Sequence, residues 1–338
     1  MNKELKILAV VVFFSVLTYI GVEPYAHSQM HAHVESQNFA YNGTADIEEV
    51  SQKIEKAKEE KHDTATLEKT LEAKKAFWAD VKKISALKGD AAAGEAGYAM
   101  CMGCHNGSGT NMGGVVPPSL EHAGTLYDKN YLIALVKNPA MASNVDHKYA
   151  DTAMHPMGSI SSMISDDQAV ADVVAFLKEK KVGEISNKEA YIEACGRCHE
   201  NRYGKWTQAG FAPKTKADLT TGVDLDAMKF QEKVANEKLA VAKYMGKLPP
   251  DLSIIIRARS EHFLKTFIEN PQSQLHGTAM PRVGLSEEGY EKVMGYLART
   301  GDAKKPNRDA LGWKVILFFV IFTQLAYLWK KSVWSKLH

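Results

Sequence analysis

Two apolar runs lie near the ends of this 338-residue chain, and the residues between them alternate between apolar and polar positions. The first run, Ile7 to Val22, follows two lysines, and the second, Val315 to Trp329, is followed by three lysines. A membrane span needs about 20 helical residues, a length that interfacial flanks can complete here. Both runs therefore predict transmembrane helices, with membrane lipid around each.

The flanking charges predict the orientation of these two helices. Lysines stand on the outer side of each run, toward the chain ends, and such residues favour the cytoplasmic face. Residues 24–312 are then expected on the periplasmic side of a bacterial inner membrane, with both termini cytoplasmic. The alternative for the first run is a cleaved signal peptide, which implies the same export.

A charged segment without Pro or Gly follows the first run, from about Asp46 to Leu87. This pattern predicts a helix or a helical hairpin that lies on the following domains or on a partner subunit. The charged side chains are expected to form a solvated face. The sparse apolar positions at helical spacing are Ile47, Val50, Ile54, Leu67, Leu71, Phe77 and Trp78.

An internal repeat covers most of the remaining chain. Residues 117–139 and 249–271 are both 23 long and align without a gap, from Pro-Pro through Leu to Asn-Pro. Each copy then carries a Thr-Ala-Met triplet and a closing helix that begins near Ser165 or Ser286. Both serines precede acidic residues, as helix N-caps often do. The repeat predicts two copies of one small helical domain.

The two copies differ in length. Cys101 stands 16 residues before Pro117, whereas Cys195 stands 54 residues before Pro249. This difference predicts an insertion at about 201–246, with a helix near 226–243. We therefore predict an all-α protein of five parts: an N-terminal anchor (1–27), the charged segment (28–88), a first domain (89–183), a second domain (184–303) and a C-terminal anchor (304–338).

Composition and charge narrow the function classes. The net charge is +2, which does not fit a protein that coats nucleic acid, so no nucleic acid is expected as a partner. The hydrophobic share of 45% and the charged share of 24% exclude a disordered chain. Only four cysteines occur, which excludes a dense disulfide scaffold.

All four cysteines lie in two C-x-x-C-H motifs, one in each copy of the repeat. This signature is typical of c-type heme attachment, in which two thiols one turn apart bind the porphyrin and the adjacent histidine binds iron. We predict two covalently bound heme c groups. A zinc site is the alternative, but it needs more ligands than either motif offers. The motif residues are Cys101, Cys104, His105, Cys195, Cys198 and His199.

The sixth iron ligand is expected to be a methionine, which raises the reduction potential. In the second copy Met280 precedes Ser286 by six residues. In the first copy Met154 shares the Thr-Ala-Met register, whereas Met157, eight residues before Ser165, fits the more usual loop length. Loop length favours Met157. Histidine ligands are the alternatives: His122, His147 and His155 in the first copy, and His262 and His276 in the second.

Aromatic residues near each motif indicate how each copy packs. Tyr98 and Tyr191 precede the two motifs, and Phe176 and Tyr296 lie in the two closing helices. We expect these rings to interlock the first and last helix of each copy.

Each copy resembles a class I cytochrome c, with its C-x-x-C-H, Pro-rich loop, methionine loop and closing helix. The second copy is more specific: residues 248–253 (LPPDLS) and 256–259 (IRAR) resemble a segment of cytochrome c1. The long insertion and the tail, with KKSVW at 330–334, resemble cytochrome c1 as well. Two heme motifs and the extra N-terminal span make the chain similar to the diheme c1-type subunits of some bacterial cytochrome bc complexes.

The resemblance implies roles for particular residues. It implies Cys195 and Cys198 as thioether sites and His199 and Met280 as axial ligands. It also implies that Arg257 and Arg259 lie near heme propionates, where a planar guanidinium fits a carboxylate. A solvated helix face is the alternative for these arginines.

The resemblance implies an electron-transfer subunit of a quinol–cytochrome c oxidoreductase, without catalytic activity of its own. Its expected partners are cytochrome b, a Rieske iron–sulfur subunit and a soluble or membrane-bound cytochrome c, in a dimeric complex. Electrons are expected to enter at the second heme and leave through the first. The alternatives are an electron-feeding subunit of a terminal oxidase, a diheme peroxidase and a zinc-binding adaptor.

Overall fold

A computed structural model describes residues 3–26, 38–107, 116–180, 183–216, 222 and 224–336. The described residues are mostly helical. We call residues 44–85 the hairpin, residues 89–180 the first lobe and residues 184–303 the second lobe. The elements are α1 (Lys3–Ala26), α2 (Thr44–Glu59), α3 (Ala65–Ser85), α4 (Ala91–Cys101), α5 (Ala123–Leu126), α6 (Lys129–Lys137), α7 (Pro139–Ala142), α8 (Ile160–Met163), α9 (Asp167–Glu179), α10 (Asn187–Ala194), β1 (Trp206–Thr207), β2 (Gly210–Phe211), α11 (Leu225–Met245), α12 (Ile255–Ala258), α13 (Glu261–Glu269), α14 (Pro271–Gln274), α15 (Glu287–Gly301) and α16 (Lys305–Trp334).

The terminal helices α1 and α16 are the two described helices that are long and apolar enough to cross a membrane. Their apolar side chains are exposed along the whole length of each helix rather than packed on the lobes. A helical stretch that is apolar on every side is stable only when protein or lipid surrounds it. Both helices therefore fit a membrane anchor.

Helices α2 and α3 pack against each other and form the hairpin expected for the charged segment. Trp78, Val81 and Ile84 on α3 are buried. The expectation of a solvated charged face is wrong for Asp46 and Lys74, whose exposed fractions are only 1% and 5%. Each has a hydrogen-bonding partner on one of the lobes: Lys74 donates to Asn144 of the first lobe, and Asp46 accepts from Arg282 of the second lobe.

The first and last helices cross in each lobe, and the predicted aromatic pairs are confirmed. The rings of Tyr98 and Phe176 lie 4.9 Å apart between α4 and α9, and those of Tyr191 and Tyr296 lie 4.8 Å apart between α10 and α15. At Gly94 the crossing is so close that a Cβ would overlap the carbonyl oxygen of Asp172. The C-x-x-C-H motifs follow directly at the ends of α4 and α10.

The closing helices begin with side-chain caps. The hydroxyl of Ser286 accepts the backbone N–H of Gly289, as expected. In the first lobe the cap is Asp166 rather than Ser165, and its carboxylate accepts the N–H of Ala169. Aspartate caps a helix as well as serine does, so the start moves by one residue.

The two lobes share one interface and one core. The N–H of Asp128 donates to the carbonyl of Gly284 at 3.0 Å, and that of Ser286 donates to Leu126 at 2.8 Å. One contiguous cluster of buried apolar residues runs through the hairpin and both lobes. The relative position of the lobes is therefore fixed by packing as well as by hydrogen bonds.

The insertion of the second lobe departs from the all-α expectation. Strands β1 and β2 form a short antiparallel pair, with Trp206 opposite Phe211. The predicted helix of the insertion is confirmed as α11. Gly210, the first residue of β2, has φ of +98°, a conformation that glycine adopts without strain and that helps the chain to reverse after β1.

Candidate heme sites

Each C-x-x-C-H motif closes one turn at the end of its helix. In the first lobe the N–H groups of Cys104 and His105 donate to the carbonyl of Cys101, at 3.2 and 3.0 Å. In the second lobe Cys198 and His199 donate in the same way to Cys195, at 3.2 and 2.9 Å. The turn gives the two cysteines and the histidine of each motif the one-turn backbone spacing that heme attachment requires.

The motif histidines make the same hydrogen bond in both lobes. Nδ1 of His105 lies 2.8 Å from the carbonyl oxygen of Pro118, and Nδ1 of His199 lies 2.8 Å from that of Pro250. A carbonyl oxygen can only accept, so each Nδ1 carries the proton. Both partners are the second proline of the repeated Pro-Pro pair. The repeat therefore places the same carbonyl group beside the motif histidine in both lobes.

This hydrogen bond prepares each imidazole to bind a metal ion. Burial lowers the pKa of His105 and of His199, which favours the neutral ring. With the proton held on Nδ1, the lone pair of Nε2 is free for iron, and the carbonyl fixes the orientation of the ring.

The donor set fits heme c better than zinc. All four cysteines are free thiols, so none is used in a disulfide. Within the described ranges, no three side chains of His, Cys, Asp or Glu come together as a candidate metal site. A structural zinc site needs four such ligands, whereas heme c needs only two thiols and one imidazole from each motif.

The second motif is more enclosed than the first. Cys104 is exposed, whereas Cys198 is half-buried and His199 is only 9% exposed. Two side chains of the insertion hold this motif: Trp206 Nε1 donates to the carbonyl of Gly196 at 2.8 Å, and Gln208 Nε2 donates to that of Cys198 at 3.0 Å. The sequence indicated an insertion but did not show that it covers the motif.

The methionine candidates differ in exposure. Met154 is 68% exposed on a short 3-10 turn, whereas Met157 and Met280 are half-buried. An axial methionine lies against the porphyrin and is shielded from water. The geometry of the first lobe thus favours Met157 over Met154.

The alternative histidine ligands lie less favourably. His147, His262 and His276 are exposed. In His155, Nδ1 accepts the backbone N–H of Met157 at 3.1 Å. In His122, Nδ1 lies 3.4 Å from a carboxylate oxygen of Glu193, across the interface between the lobes.

The two arginines implied by the resemblance to cytochrome c1 lie on or beside the short helix α12. Arg257 and Arg259 are both exposed, and the Arg259 guanidinium lies 5.3 Å from the ring centre of Phe263. This position is compatible with either a heme propionate or a solvated helix face.

The second motif lies close to the interface between the lobes. His122 of the first lobe contacts Glu193 on α10, and Cys195, the first residue of the second motif, follows Glu193 by two residues. Burial is the main reason that the pKa of His105 is lowered, but the charge of Arg197, inside the second motif, lowers it further.

Sequence reasoning missed a buried ion pair beside the methionine of the second lobe. Arg282 and Asp46 have side-chain exposures of 3% and 1%, and their charged groups are in contact. One signal was available: Arg282 interrupts an otherwise uncharged and mostly apolar stretch, Ala279 to Leu285. Its partner, 236 positions away, had no such signal.

Comparison with known proteins identifies part of the chain. The sequence model of the cytochrome c family matches residues 91–181, so this part is a cytochrome c domain, which implies covalently bound heme c and heme-based electron transfer. The ammonia monooxygenase gamma subunit of Nitrosomonas europaea is 23% identical over 190 residues, which cover 44% of this chain and 81% of that protein. No solved structure matches the chain.

Proposed function

We propose that this chain is a membrane-anchored diheme cytochrome c, the c1-type subunit of a quinol–cytochrome c oxidoreductase. In this proposal the second lobe is a second cytochrome c domain. The chain receives single electrons from a Rieske iron–sulfur subunit that works with cytochrome b, and passes them to a soluble or membrane-bound cytochrome c on the periplasmic side.

The paired histidine geometry is the observation that supports two heme sites. His105 and His199 donate Nδ1–H to equivalent prolines at the same distance of 2.8 Å. Two unrelated loops would rarely reproduce one hydrogen bond at equivalent positions of a repeat. Because residues 91–181 are a cytochrome c domain, the matching geometry of the second lobe supports the same chemistry there.

The c1-type role is supported by the residues around the second motif. Pro250, which accepts from His199, belongs to the LPPDLS segment that resembles cytochrome c1. The same segment is held to the motif by the N–H of Leu252, which donates to the carbonyl of Glu200 at 3.0 Å. Helix α16 starts at Lys305, shortly after α15 ends, so the second lobe is tethered close to an anchor.

The chain's own residues position and shield the redox centres. Heme c supplies reversible one-electron chemistry when it is bound. The proline carbonyls orient the imidazoles of His105 and His199. Met157 and Met280 would supply the second protein ligand of the two irons. The insertion shields the second motif through Trp206. The lobes touch where Nδ1 of His122 lies 3.4 Å from a carboxylate oxygen of Glu193, and in this proposal electrons enter at the second lobe and pass from there to the first.

The proposal is tested on the complex from native membranes, isolated through a tag on this chain. We expect two covalent hemes per chain, co-purification of cytochrome b and a Rieske protein, and quinol–cytochrome c reductase activity. His199→Ala should abolish that activity, and His147→Ala, which changes an exposed histidine, should leave it intact.

Other outcomes identify other functions. A copper–heme oxidase core in the preparation would indicate a terminal-oxidase subunit, and peroxide turnover by the isolated chain would indicate a peroxidase. A monooxygenase partner would follow the name of the Nitrosomonas relative. Zinc without iron would indicate the adaptor, and one heme per chain would contradict a second heme domain.

A further inference from the structure

We propose that the buried Asp46–Arg282 ion pair positions Met280, so that the hairpin is a working part of the second heme site. The inference rests on the proposed function, because it takes Met280 as the axial ligand of the second heme. It adds a positioning pair that joins residues far apart in the chain, one on α2 and one in the methionine loop.

The pair is enclosed and well satisfied. Arg282 Nη1 donates to Asp46 Oδ2 at 3.1 Å, and Nη2 donates to Oδ1. Trp78 on α3 donates its Nε1–H to Asp46 Oδ2 at 3.0 Å. The Asp46 carboxylate, which belongs to α2, is thus also bound to α3. It accepts two parallel hydrogen bonds from the guanidinium, an arrangement that fixes the direction of the contact as well as its distance.

Arg282 is also tied to both lobes. Its Nε donates to the carbonyl of Glu269 at 3.0 Å, at the end of α13 in the second lobe. Its backbone N–H donates to Ser143 at 2.8 Å, and its carbonyl accepts from Tyr131 Oη at 3.0 Å, both in the first lobe. The hairpin and both lobes therefore meet at this one residue.

Met280 is separated from Arg282 by Pro281 alone. Consecutive Cα atoms lie about 3.8 Å apart, and proline fixes its own φ, so the backbone of Met280 has little freedom relative to Arg282. On the other side, Gln272 holds the loop, because its Nε2 donates to the carbonyl of Thr278 at 2.6 Å. The sulfur position of Met280 thus depends on where the guanidinium is anchored.

The first lobe has a different residue at this place. Arg282 stands two residues after Met280, whereas Pro156 stands two residues after Met154 and Ser159 two residues after Met157. Neither proline nor serine can form an ion pair. Loss of the Asp46 carboxylate should therefore affect the second heme selectively.

The Asp46→Asn variant separates positioning from simple electrostatics. A changed charge alone would raise the potential of a nearby heme, because a negative group disappears and Arg282 is left unpaired. A displaced methionine would lower the potential, because methionine ligation raises it. The sign of the shift therefore distinguishes the two effects.

The experiment uses the full chain with heme attached, in detergent. Met280→Ala defines the part of the methionine–iron band, near the red edge of the visible spectrum, that belongs to the second heme. We expect Asp46→Asn to lose that same part of the band and to shift one midpoint potential downward. Lys83→Gln is the matched control, because Lys83 on the same hairpin pairs with Asp167 of the first lobe at 2.8 Å.

The outcomes are distinct. An unchanged band, or an upward shift of potential, in Asp46→Asn would overturn the positioning role even if the variant is less stable. If Asp46→Asn does not load heme, Arg282→Lys decides: it keeps the charge but loses the two-pronged contact, and it should show the same loss of band. If Met280→Ala changes neither band nor potentials, the ligand assignment itself fails.

Discussion

Tyr191 and Tyr296 stack at the crossing of α10 and α15, with ring centres 4.8 Å apart and planes inclined by 29°. Tyr191 Oη also donates to the carbonyl of His199 at 3.2 Å. One side chain thus joins the helix crossing of the second lobe to its candidate iron ligand. The corresponding pair of the first lobe, Tyr98 with Phe176, crosses α4 and α9 in the same way.

Truncation of Tyr191 should destabilise the second lobe first. Tyr191→Phe keeps the stack and loses one buried hydrogen bond, which costs about 1 kcal/mol. Tyr191→Ala should cost about 3–5 kcal/mol and release the second heme site earlier in a urea titration followed by heme absorbance. Tyr203→Phe, at a 62% exposed position of the same lobe, should leave the curve unchanged. Equal effects of Tyr191→Ala on both hemes would contradict a local role.

The axial methionine of the first lobe can be identified by paired substitutions. Met157→Leu should remove one part of the methionine–iron band and lower one midpoint potential, because Met157 is half-buried. Met154→Leu should change neither, since Met154 is 68% exposed. The reverse result would assign Met154, and no change in either variant would favour a histidine ligand.

The close crossing of α4 and α9 predicts intolerance at Gly94. Gly94→Ala adds a Cβ that overlaps the backbone of Asp172, so the helices must separate. Overpacking of this kind costs about 1–3 kcal/mol, measured as the free energy of unfolding in urea. Glu95→Ala, on the exposed side of the same helix, is the control. A Gly94→Ala variant as stable as the control would show that the crossing can relax.

The buried Asp46 predicts a specific acid sensitivity. Burial raises the pKa of Asp46, but the charge and hydrogen bonds of Arg282 outweigh it, so this pKa lies below its ordinary value of 3.8. The ionised carboxylate therefore stabilises the folded state fully above that value, and the contribution is lost as the pH falls through the lowered pKa.

Denaturation across a pH series checks this assignment. Asp46→Asn should be less stable by about 3–5 kcal/mol near neutral pH, because Arg282 is left buried without its partner. Below about pH 4 the stability of the unmodified chain should approach that of the variant. Glu55→Gln, at an exposed position of the hairpin, should follow the unmodified chain. A constant difference at every pH would argue against titration of Asp46.

Local pattern was enough to predict the main helices of this fold, but not the strands β1 and β2. The helical hairpin, the crossing helices with their aromatic pairs and the insertion helix all follow from apolar spacing that one segment carries by itself. The cap at Asp166 instead of Ser165 shows the limit of this reasoning, because neighbouring residues with similar capping ability compete and a small difference decides.

Relations between distant segments were not predictable from pattern. Asp46 looked like one more solvated acid, since nothing in its neighbourhood indicates the guanidinium of Arg282. Trp206 and Gln208 lie in the insertion, for which the sequence predicted only a helix, although they hold the backbone of the second motif. A buried polar group depends on a partner, and that partner can come from anywhere in the chain.

The amino-acid order alone predicted the chemistry of this protein, through two C-x-x-C-H motifs that lie between two apolar runs. The tertiary structure decided how the two lobes work together. It placed the proline carbonyls on Nδ1 of His105 and His199, joined the lobes through one core, and buried an ion pair beside Met280. The physical reason is range: covalent spacing and periodicity act within a few turns, whereas burial and charge pairing depend on surfaces that meet only when the chain has folded.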